Sequence, residues 1–289
     1  MSVEALEGKL LSRVTRTLHT HELIREGDLV MVCLSGGKDS YTMLHLLEGA
    51  RRRWETKFEL VAVHLDQRQP GYDGTPLRKW LEASGVRFEI LSEDTYSEVL
   101  ERTPEGGTPC AACSRLRRGI LYTAAQRLGA TKIALGHHRE DTLETFLLNL
   151  VYSGRLQAMP ARYTTDDGRF EVIRPLIECA ESDIATFATA ANFPIIPCNL
   201  CGSQKDLKRD AMNALLQQLE TMNPHVRQSM LGALGNVRAT HLLDAEVALA
   251  WAARPEHVSA RSQAKETKVR FGAMPVHSSI DVLLTPPGS

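Results

Sequence analysis

The 289-residue sequence lacks a strong net charge and a long apolar run. It has 34 Lys and Arg residues against 35 Asp and Glu residues, which gives a formal net charge of -1. A chain this balanced has no global field to attract nucleic acid, so any such contact must come from a local patch. No segment approaches the roughly 18 consecutive apolar residues of a transmembrane helix. We therefore expect no membrane association.

The sequence also lacks a secretory signal and is poor in aromatic residues. Glu4 and Glu7 lie where a signal peptide would be positively charged, and no apolar core follows them. We therefore expect a cytoplasmic location, where the six cysteines would be reduced thiols, metal ligands or catalytic groups rather than disulfides. Aromatic residues make up 6% of the chain, and no aromatic-rich platform for RNA bases is visible.

Short apolar runs alternate with helical patterns through the first half of the chain. Residues 29–34, 58–65, 86–91 and 132–135 are predicted strands, each separated from the next by a helical pattern. This alternation is typical of an α/β protein, so we predict a Rossmann-like parallel sheet covered by helices on both faces.

Three segments are predicted along the chain. Residues 1–27 form an N-terminal helical segment, in which leucine and valine recur every four residues from Leu6 to Leu18. Residues 28–244 form the α/β domain. Residues 245–289 form a weakly structured C-terminal tail with scattered charge and a Pro-Pro-Gly ending.

A glycine-rich hexapeptide follows the first predicted strand. Its paired glycines would let the backbone approach a phosphate, and the N-terminus of the following helix would add free N–H groups and a partial positive charge. Lysine adds a full charge, and two serines add hydroxyl donors. The segment lacks the G-x-x-x-x-G-K-[ST] pattern of γ-phosphate-cleaving loops. Its residues are Ser35, Gly36, Gly37, Lys38, Asp39 and Ser40.

This hexapeptide resembles the S-G-G-x-D-S motif of the PP-loop family, the ATP pyrophosphatases. The resemblance implies that residues 35–40 hold the pyrophosphate end of ATP. Holding the leaving pyrophosphate exposes the α-phosphorus to an attacking oxygen, which then carries AMP as a good leaving group. The developing charge requires electrostatic stabilisation, with Mg²⁺ as an expected cofactor. We predict Lys38 and Asp39 as catalytic residues, with Asp39 as the nearest carboxylate for the ion.

Other polar groups end the second and fourth predicted strands, where ligands bind in sheets of this kind. Asp66 ends the second, and a G-H-H-R-E-D segment follows the fourth. PP-loop proteins have a similar G-H-H-x-D-D segment near ATP, which implies ATP binding by Gly136, His137 and Asp141. Glu140 stands where that pattern has its first aspartate, so we favour Asp141. If the next helix begins early, His137 and Asp141 share one of its faces.

Four cysteines form two C-x-x-C pairs, Cys110 with Cys113 and Cys198 with Cys201. The four thiolates could form a zinc site, or three of them could hold an iron–sulfur cluster. A redox pair and two unrelated pairs of buried thiols are further interpretations. The other two cysteines lie in apolar stretches and are predicted to be packing residues: Cys33 and Cys179.

Longer blocks around these motifs are similar to the tRNA 2-thiocytidine synthetases, the iron–sulfur branch of the PP-loop family. The blocks are LSGGKDSYTML, VAVHLDQRQPG, TPCAACSRLRRGILY, KIALGHHRED, IRPL and PIIPCNLCGSQ. They run from about Leu29 to Asp244 and therefore cover most of the chain.

The resemblance implies ATP-dependent thiolation of tRNA at C2 of the cytidine at position 32, in the anticodon loop. The C2 oxygen is adenylated, sulfur attacks C2 and AMP leaves. The resemblance also implies a [4Fe–4S] cluster on Cys110, Cys113 and Cys201, with an open iron that carries the sulfur, so Cys201 is a predicted catalytic residue. A cysteine desulfurase would donate the sulfur. The role of Cys198 stays open, and the sequence is compatible with a homodimer.

A local basic patch follows Cys113 directly. Residues 101–140 contain seven Lys and Arg against three Asp and Glu, a net charge of about +4 in an otherwise balanced chain. Beside a cluster that acts on RNA, we expect contact with tRNA phosphates. The predicted tRNA-binding residues are Arg115, Arg117, Arg118 and Arg155.

Two other functions compete with thiolation. A PP-loop enzyme of another chemistry, such as amidation or lysidine formation, would not require two C-x-x-C pairs. A zinc-stabilised tRNA-binding module that is not an enzyme would leave the SGGKDS segment without a role.

Overall fold

The computed structural model describes residues 2–103, 110–196 and 207–253, and at residues 110, 111 and 207 it describes the backbone alone. The strands are β1 Leu29–Leu34, β2 Glu59–Asp66, β3 Phe88–Ser92, β4 Lys132–Ala134, β5 Arg162–Thr164 and β6 Glu171–Ile173. The helices are α1 Val3–Thr20, α2 Lys38–Arg53, α3 Thr75–Ser84, α4 Thr95–Arg102, α5 Cys110–Leu128, α6 Arg139–Ser153, α7 Glu181–Ala190, α8 Leu207–Met222, α9 Val226–Leu234 and α10 Ala245–Ala252.

The strands within the described ranges form one sheet in the order β3-β2-β1-β4-β6-β5. The central strand β1 pairs in parallel with β2 on one side and β4 on the other, so Val32 lies between Ala62 and Ala134. The chain moves outward from β1 to β3 and then crosses to β4. The connections after β1 and β4 therefore diverge at one point, which is where sheets of this kind bind ligands.

The four predicted strands are confirmed, with ends that differ by at most two residues. Strands β5 and β6, each three residues long, were not predicted. β4 pairs with β6 in parallel, whereas β5 pairs with β6 antiparallel. The predicted parallel sheet is thus correct except at its β5 edge.

Both faces of the sheet are covered by helices, as predicted. On one face, α1, α2 and α7 share a core that includes Val14, Leu47 and Phe187. On the other face, α5 packs Ala124 and Ala125 against the strands. α1 follows from its sequence, since its buried leucines and valine repeat at helical spacing and Ser2 caps its N-terminus. The predicted N-terminal segment is therefore part of the main core.

Past the sheet, α6, α8 and α9 pack around a smaller core that includes Leu143, Leu147 and Leu216. The chain divides into two compact units, residues 1–235 and 236–289. In the second unit the described part holds a 3₁₀ turn and α10, which Asp244 caps through its side chain. The predicted tail therefore begins with a helix. None of the described helices is both long enough and apolar enough to cross a bilayer.

Candidate active site

The loop after β1 is closed by its own serine hydroxyls. Ser40 Oγ accepts a hydrogen bond from Ser35 N at 3.1 Å and donates one to Gly37 O at 2.9 Å. Gly36 has φ +87°, a conformation that side-chain-bearing residues rarely adopt. α2 begins at Lys38 directly after this turn, so its first N–H groups are available to an anion above the loop.

Lys38 and Asp39 meet a third charged residue at this helix N-terminus. Lys38 Nζ lies 3.2 Å from Asp39 Oδ2 and 3.0 Å from Oε1 of Glu181, the first residue of α7. Burial opposes the charge on the lysine, but the two carboxylates outweigh it and raise the pKa of Lys38. Asp39 Oδ1 is buried and has no hydrogen-bond partner among the described residues. Such an oxygen is suited to bind a metal ion or a ligand donor.

The segment after β4 packs directly on the phosphate loop, as the sequence predicted for the two nucleotide motifs. A Cβ atom on Gly136 would lie 3.3 Å from the carbonyl carbon of Asp39 and 3.3 Å from Ser40 N. His138 Nε2 lies 3.9 Å from Asp39 Oδ1. A side chain at position 136 would therefore push the two backbones apart by a few tenths of an ångström.

His138 caps α6 and is surrounded by acidic groups. Its backbone N–H donates to Asp141 Oδ2 at 2.9 Å, and its Nε2 lies 3.5 Å from the same oxygen. Burial disfavours the charged imidazole, but the Glu140 carboxylate, whose Oε2 lies 3.4 Å from Nδ1, and the charges of Asp141 and Asp39 outweigh burial and raise the pKa of His138. Asp141 thus has a defined place at the site, although its structural role is to hold the start of α6.

Glu140 connects α6 to α7. It is 6% exposed, pairs with the Arg139 guanidinium and accepts a hydrogen bond from Glu181 N at 2.8 Å. Burial works to raise its pKa, yet hydrogen bonds from His138 and Arg139 hold the pKa of Glu140 at about 2. Glu140 is therefore an ionised carboxylate that positions Glu181 beside Lys38.

The structure does not place His137 on the α6 face with Asp141, because α6 begins two residues later, at Arg139. His137 Nδ1 instead accepts a hydrogen bond from Arg174 Nε at 3.2 Å. Burial and the nearby Arg174 charge lower the pKa of His137 to about 4. The expectation of a shared helix face was wrong, since it assumed an early helix start.

Asp66 ends β2, and the residue after it contacts the first cysteine pair. Gln67 Oε1 accepts hydrogen bonds from Thr95 Oγ1 at 3.2 Å and from Cys113 Sγ at 3.4 Å. Cys113 is 6% exposed and lies in the first turn of α5, which begins at Cys110. The structure thus brings Cys113 to the carboxyl end of β2, next to the strand that leads into the phosphate loop.

The chain leading to the second cysteine pair is tied to the phosphate loop. Ile196 N donates to Gly36 O at 2.9 Å, and a Cβ atom on Gly36 would lie 3.2 Å from Ile196 Cβ. Tyr41 in α2 donates its hydroxyl proton to Pro194 O at 2.9 Å. Cys198 and Cys201 follow within five residues but lie outside the described residues, as does the side chain of Cys110.

The two lone cysteines have the environments expected of packing residues. Burial raises the pKa of the Cys33 thiol to about 12, although the charge of Arg117 acts in the opposite direction. Burial raises the pKa of Cys179 to about 12 as well, and Cys179 is 2% exposed. Thiols held neutral in this way are poor nucleophiles and poor metal ligands.

The predicted basic residues separate into three positions. Arg115 and Arg118 are exposed on α5, whereas Arg117 is half-buried, one turn after Cys113. Arg155 is exposed beyond the far end of α6, about 20 Å along that helix from Asp141. The structure therefore groups two of the four arginines, directs Arg117 inward and sets Arg155 apart.

Sequence reasoning missed two charged residues at the site. Glu181 reaches Lys38 from a helix that begins more than 140 positions later in the chain. Arg174 directly follows the short strand β6 and contacts His137. The IRPL block contained Arg174 as a sequence signal, whereas Glu181 gave none.

A family model for the PP-loop domain matches residues 9–196. The chain is 52% identical over 245 residues to the tRNA-cytidine(32) 2-sulfurtransferase of Anaeromyxobacter sp., covering 85% of this chain and 81% of that protein. It is 50% identical over 242 residues to the protein of the same name from Cupriavidus taiwanensis, covering 84% and 79%. The chain belongs to the tRNA-cytidine(32) 2-sulfurtransferase family of PP-loop proteins.

A solved structure similar to this member of the PP-loop family is the U34-tRNA thiolase NcsA from Methanococcus maripaludis with its [4Fe-4S] cluster. The TM-score is 0.65 and the identity 21%, and the match covers 83% of this chain and 82% of that one. At this identity the likeness concerns the fold. It agrees with the PP-loop architecture of the sheet, in which the phosphate loop and the GHH segment meet between β1 and β4.

Proposed function

We propose that this protein transfers sulfur to C2 of cytidine 32 in tRNA and uses ATP to activate the base. The proposal rests on the meeting of Lys38, Asp39 and Gly136 at the diverging ends of β1 and β4, in a chain about 50% identical to proteins named for this reaction. ATP binding at residues 35–40 would give the loop a function. In a tRNA-binding module that is not an enzyme, the loop would have no function.

The phosphate loop supports a nucleotide held by its pyrophosphate end. The first N–H groups of α2 and the Lys38 ammonium would stabilise the charge of the leaving pyrophosphate. The buried, unpartnered Asp39 Oδ1 is suited to Mg²⁺, which proteins bind with one or two carboxylates beside substrate phosphates. Glu181 competes for Lys38 in the structure, so the bound pyrophosphate would replace that ion pair.

The cysteine side of the site is suited to a [4Fe–4S] cluster. Cys110 and Cys113 lie three residues apart at the N-terminus of α5, where the helix favours thiolates. Cys201 would be the third ligand, five residues after Ile196 is anchored to Gly36. A cluster held by three cysteines supplies an iron free of protein ligands, at which sulfur can be carried.

The reaction would proceed in two displacements. The C2 oxygen of cytidine attacks the α-phosphorus, the bond to the bridging oxygen breaks, and pyrophosphate leaves into the grip of Lys38 and the α2 N-terminus. Sulfide, HS⁻, then attacks C2 and loses its proton, the C2–O bond breaks, and AMP leaves with the oxygen. Arg115 and Arg118 would contact tRNA phosphates. A cysteine desulfurase is the expected source of the sulfur, and a thiol reductant would supply the two electrons that convert its persulfide sulfur to sulfide.

The test is thiolation by the anaerobically purified protein supplied with inorganic sulfide, with modified nucleosides measured by mass spectrometry. We expect 2-thiocytidine at position 32 with ATP and with β,γ-methylene ATP, but not with α,β-methylene ATP, because only the α–β linkage must break. A tRNA with uridine at position 32 is the matched control. Thiolation supported by the α,β-methylene analogue would overturn adenylation, and no thiolation with ATP would overturn the proposed activity.

The ligand set is tested by two cysteine variants. Cys201→Ala should lose iron and sulfide, whereas Cys198→Ala should retain both, because a three-cysteine cluster has no ligand to spare. A structural zinc site would need four ligands, so both variants would lose metal equally. Equal loss of metal from the two variants would contradict the three-ligand cluster.

A further inference from the structure

A buried arginine holds one histidine of the site in a single protonation state. Arg174 is 7% exposed, and its Nη1 donates to Pro160 O at 2.8 Å. Its guanidinium lies over the Tyr163 ring, 5.1 Å from the ring centre. Its Nε donates to His137 Nδ1 at 3.2 Å. The guanidinium is therefore fixed on several sides while it contacts His137.

This contact determines where the His137 proton lies. A guanidinium can only donate hydrogen bonds, so Nδ1 of His137 must be the unprotonated acceptor. The proton of the neutral ring is then on Nε2. The assignment follows from the chemistry of the partner, since arginine offers no acceptor to a protonated Nδ1.

The surroundings of His137 disfavour its charged form. Positive groups face it from three elements: Arg174 after β6, Arg209 on α8 and the adjacent His138. The carboxylate of Asp141 on α6 acts in the opposite direction, but burial is the largest effect, so the pKa of His137 falls to about 4. At neutral pH the ring carries no charge and has no proton that it readily gives up.

The Nε2 side of the ring is open to a ligand. Within the described residues no hydrogen bond is made by Nε2, and His137 is partly exposed. The residue before it, Gly136, touches the backbone of Asp39 and Ser40 in the phosphate loop. His137 is therefore one residue away from the part of the chain that would hold the nucleotide.

We propose that Arg174 is a positioning residue that fixes His137 as a neutral Nε2–H donor to a phosphoryl oxygen of the bound nucleotide. His137 thus stabilises charge on that oxygen and does not transfer a proton. The identity of the ligand as a nucleotide rests on the proposed function, whereas the assignment of the His137 tautomer does not. A neutral donor of this kind works equally well on either side of pH 6.5, where an ordinary histidine would change charge.

The direct test is nitrogen NMR on the full-length protein, labelled with ¹⁵N-histidine and purified anaerobically. His137 is assigned from the signals missing in His137→Gln. We expect one protonated nitrogen and one unprotonated nitrogen, unchanged from pH 8 to pH 6, with the protonated signal assigned to Nε2. Adding ATP and Mg²⁺ should shift the Nε2 signal. Protonation at Nδ1, titration near pH 6.5, or an Nε2 signal that ATP does not move would each overturn the proposal.

Two arginine variants then test the positioning role. In Arg174→Met, the pKa of His137 should rise above its wild-type value but stay below the ordinary histidine value of about 6.5, because burial still disfavours the charged ring, and kcat/KM should gain a fall toward acid pH. Arg162→Met, which removes another partly buried arginine, should leave the His137 signals unchanged. If Arg174→Met titrates as the wild type does, Arg174 has no positioning role. Should that variant fail to fold, the wild-type spectrum and the histidine variants decide.

The histidine variants separate a donor from an acid. His137→Gln keeps an N–H near the Nε2 position and cannot titrate, so its kcat should stay within about tenfold of wild type. His137→Ala removes the donor and should lose about 10²-fold in kcat. Equal losses in the two variants would overturn the donor role. If the wild type shows the expected ATP-dependent Nε2 shift but does not thiolate tRNA, the proposed function is overturned instead.

Discussion

At each end of the parallel strands a lysine lies between two carboxylates, but the two lysines differ in their exposure to solvent. The end at which the strands terminate is the carboxyl edge, and the end at which they begin is the amino edge. At the carboxyl edge, Lys38 lies beside Asp39 and Glu181, and its side chain is 29% exposed. At the amino edge, Lys132 pairs with Glu171 and lies 3.9 Å from Asp28, and its side chain is 5% exposed. The lysine is thus partly exposed to solvent at the carboxyl edge, which we call the open edge, and buried at the amino edge, which we call the closed edge.

The difference lies in what surrounds each lysine. Lys38 opens α2 after a glycine turn, where a helix N-terminus attracts anions. Lys132 opens β4 between β1 and β6, where burial lowers its pKa despite the nearby charge of Asp28. We propose that Lys38 exchanges its carboxylate partners for phosphate, and we expect Lys132, which is buried among strands, to contribute to folding instead.

The largest expected effect is on activity at the open edge. Lys38→Met should lower thiolation by about 10²–10³-fold, because it removes the cation that stabilises the leaving pyrophosphate. Its free energy of unfolding should stay near that of the wild type, since the half-exposed lysine is not part of the core. Single-turnover thiolation and urea unfolding are the two measurements. Activity within a few fold of the wild type would contradict the role of Lys38.

The matched change at the closed edge should reverse this result. Lys132→Met should lower the free energy of unfolding by about 3–4 kcal/mol, because Glu171 loses its buried partner and keeps Arg162, at 3.5 Å. Thiolation per folded molecule should stay near that of the wild type, since Lys132 lies at the opposite end of β4 from the site. A large loss of turnover in well-folded Lys132→Met would mean that the two edges do not differ as described.

The contrast also shows what could be predicted from sequence. The phosphate loop, its strand and its helix are one continuous segment, so local pattern was enough to find Lys38 and Asp39. Glu181 and Arg174 reach the site from distant segments, and only tertiary packing shows their positions. The predicted cluster ligands could not be judged from sequence spacing alone, because two C-x-x-C pairs suit zinc as well as iron.

A smaller effect is expected for Glu140, which is a buried residue at the otherwise open carboxyl edge. Glu140→Gln should lower the free energy of unfolding by about 3 kcal/mol at neutral pH, because the pKa of Glu140 is about 2 when folded. A depressed carboxyl pKa stabilises the fold above the unfolded value near 4.5. That stabilisation is lost as pH falls through about 2.

The difference between wild type and Glu140→Gln should therefore be constant above about pH 5.5 and narrow below pH 4.5. Urea unfolding from pH 7 to pH 4 measures it. Glu220→Gln, a change in another carboxylate paired with an arginine but more exposed, serves as the control and should give a smaller difference. A difference that widens as pH falls would contradict the assignment of an ionised, buried Glu140.

The smallest expected effect is a change in the salt dependence of tRNA binding. It compares exposed arginines with an arginine that is already paired with carboxylates. Arg115 and Arg118 are exposed on the first half of α5, whereas Arg162 on the edge strand β5 already lies near Glu22 and Glu171. Removing a single interaction with a phosphate lowers the slope of log K against log salt by about one. The double change Arg115→Gln and Arg118→Gln should therefore lower the slope of tRNA binding by about two, and Arg162→Gln should leave it unchanged.

Titrations of labelled tRNA at several salt concentrations measure the slope, and iron content must match the wild type because both arginines follow Cys113 closely. Equal slopes for the double variant and the wild type would mean that the protein contacts tRNA through other residues, while a lower slope in Arg162→Gln would mean that a paired arginine on β5 also reaches the RNA.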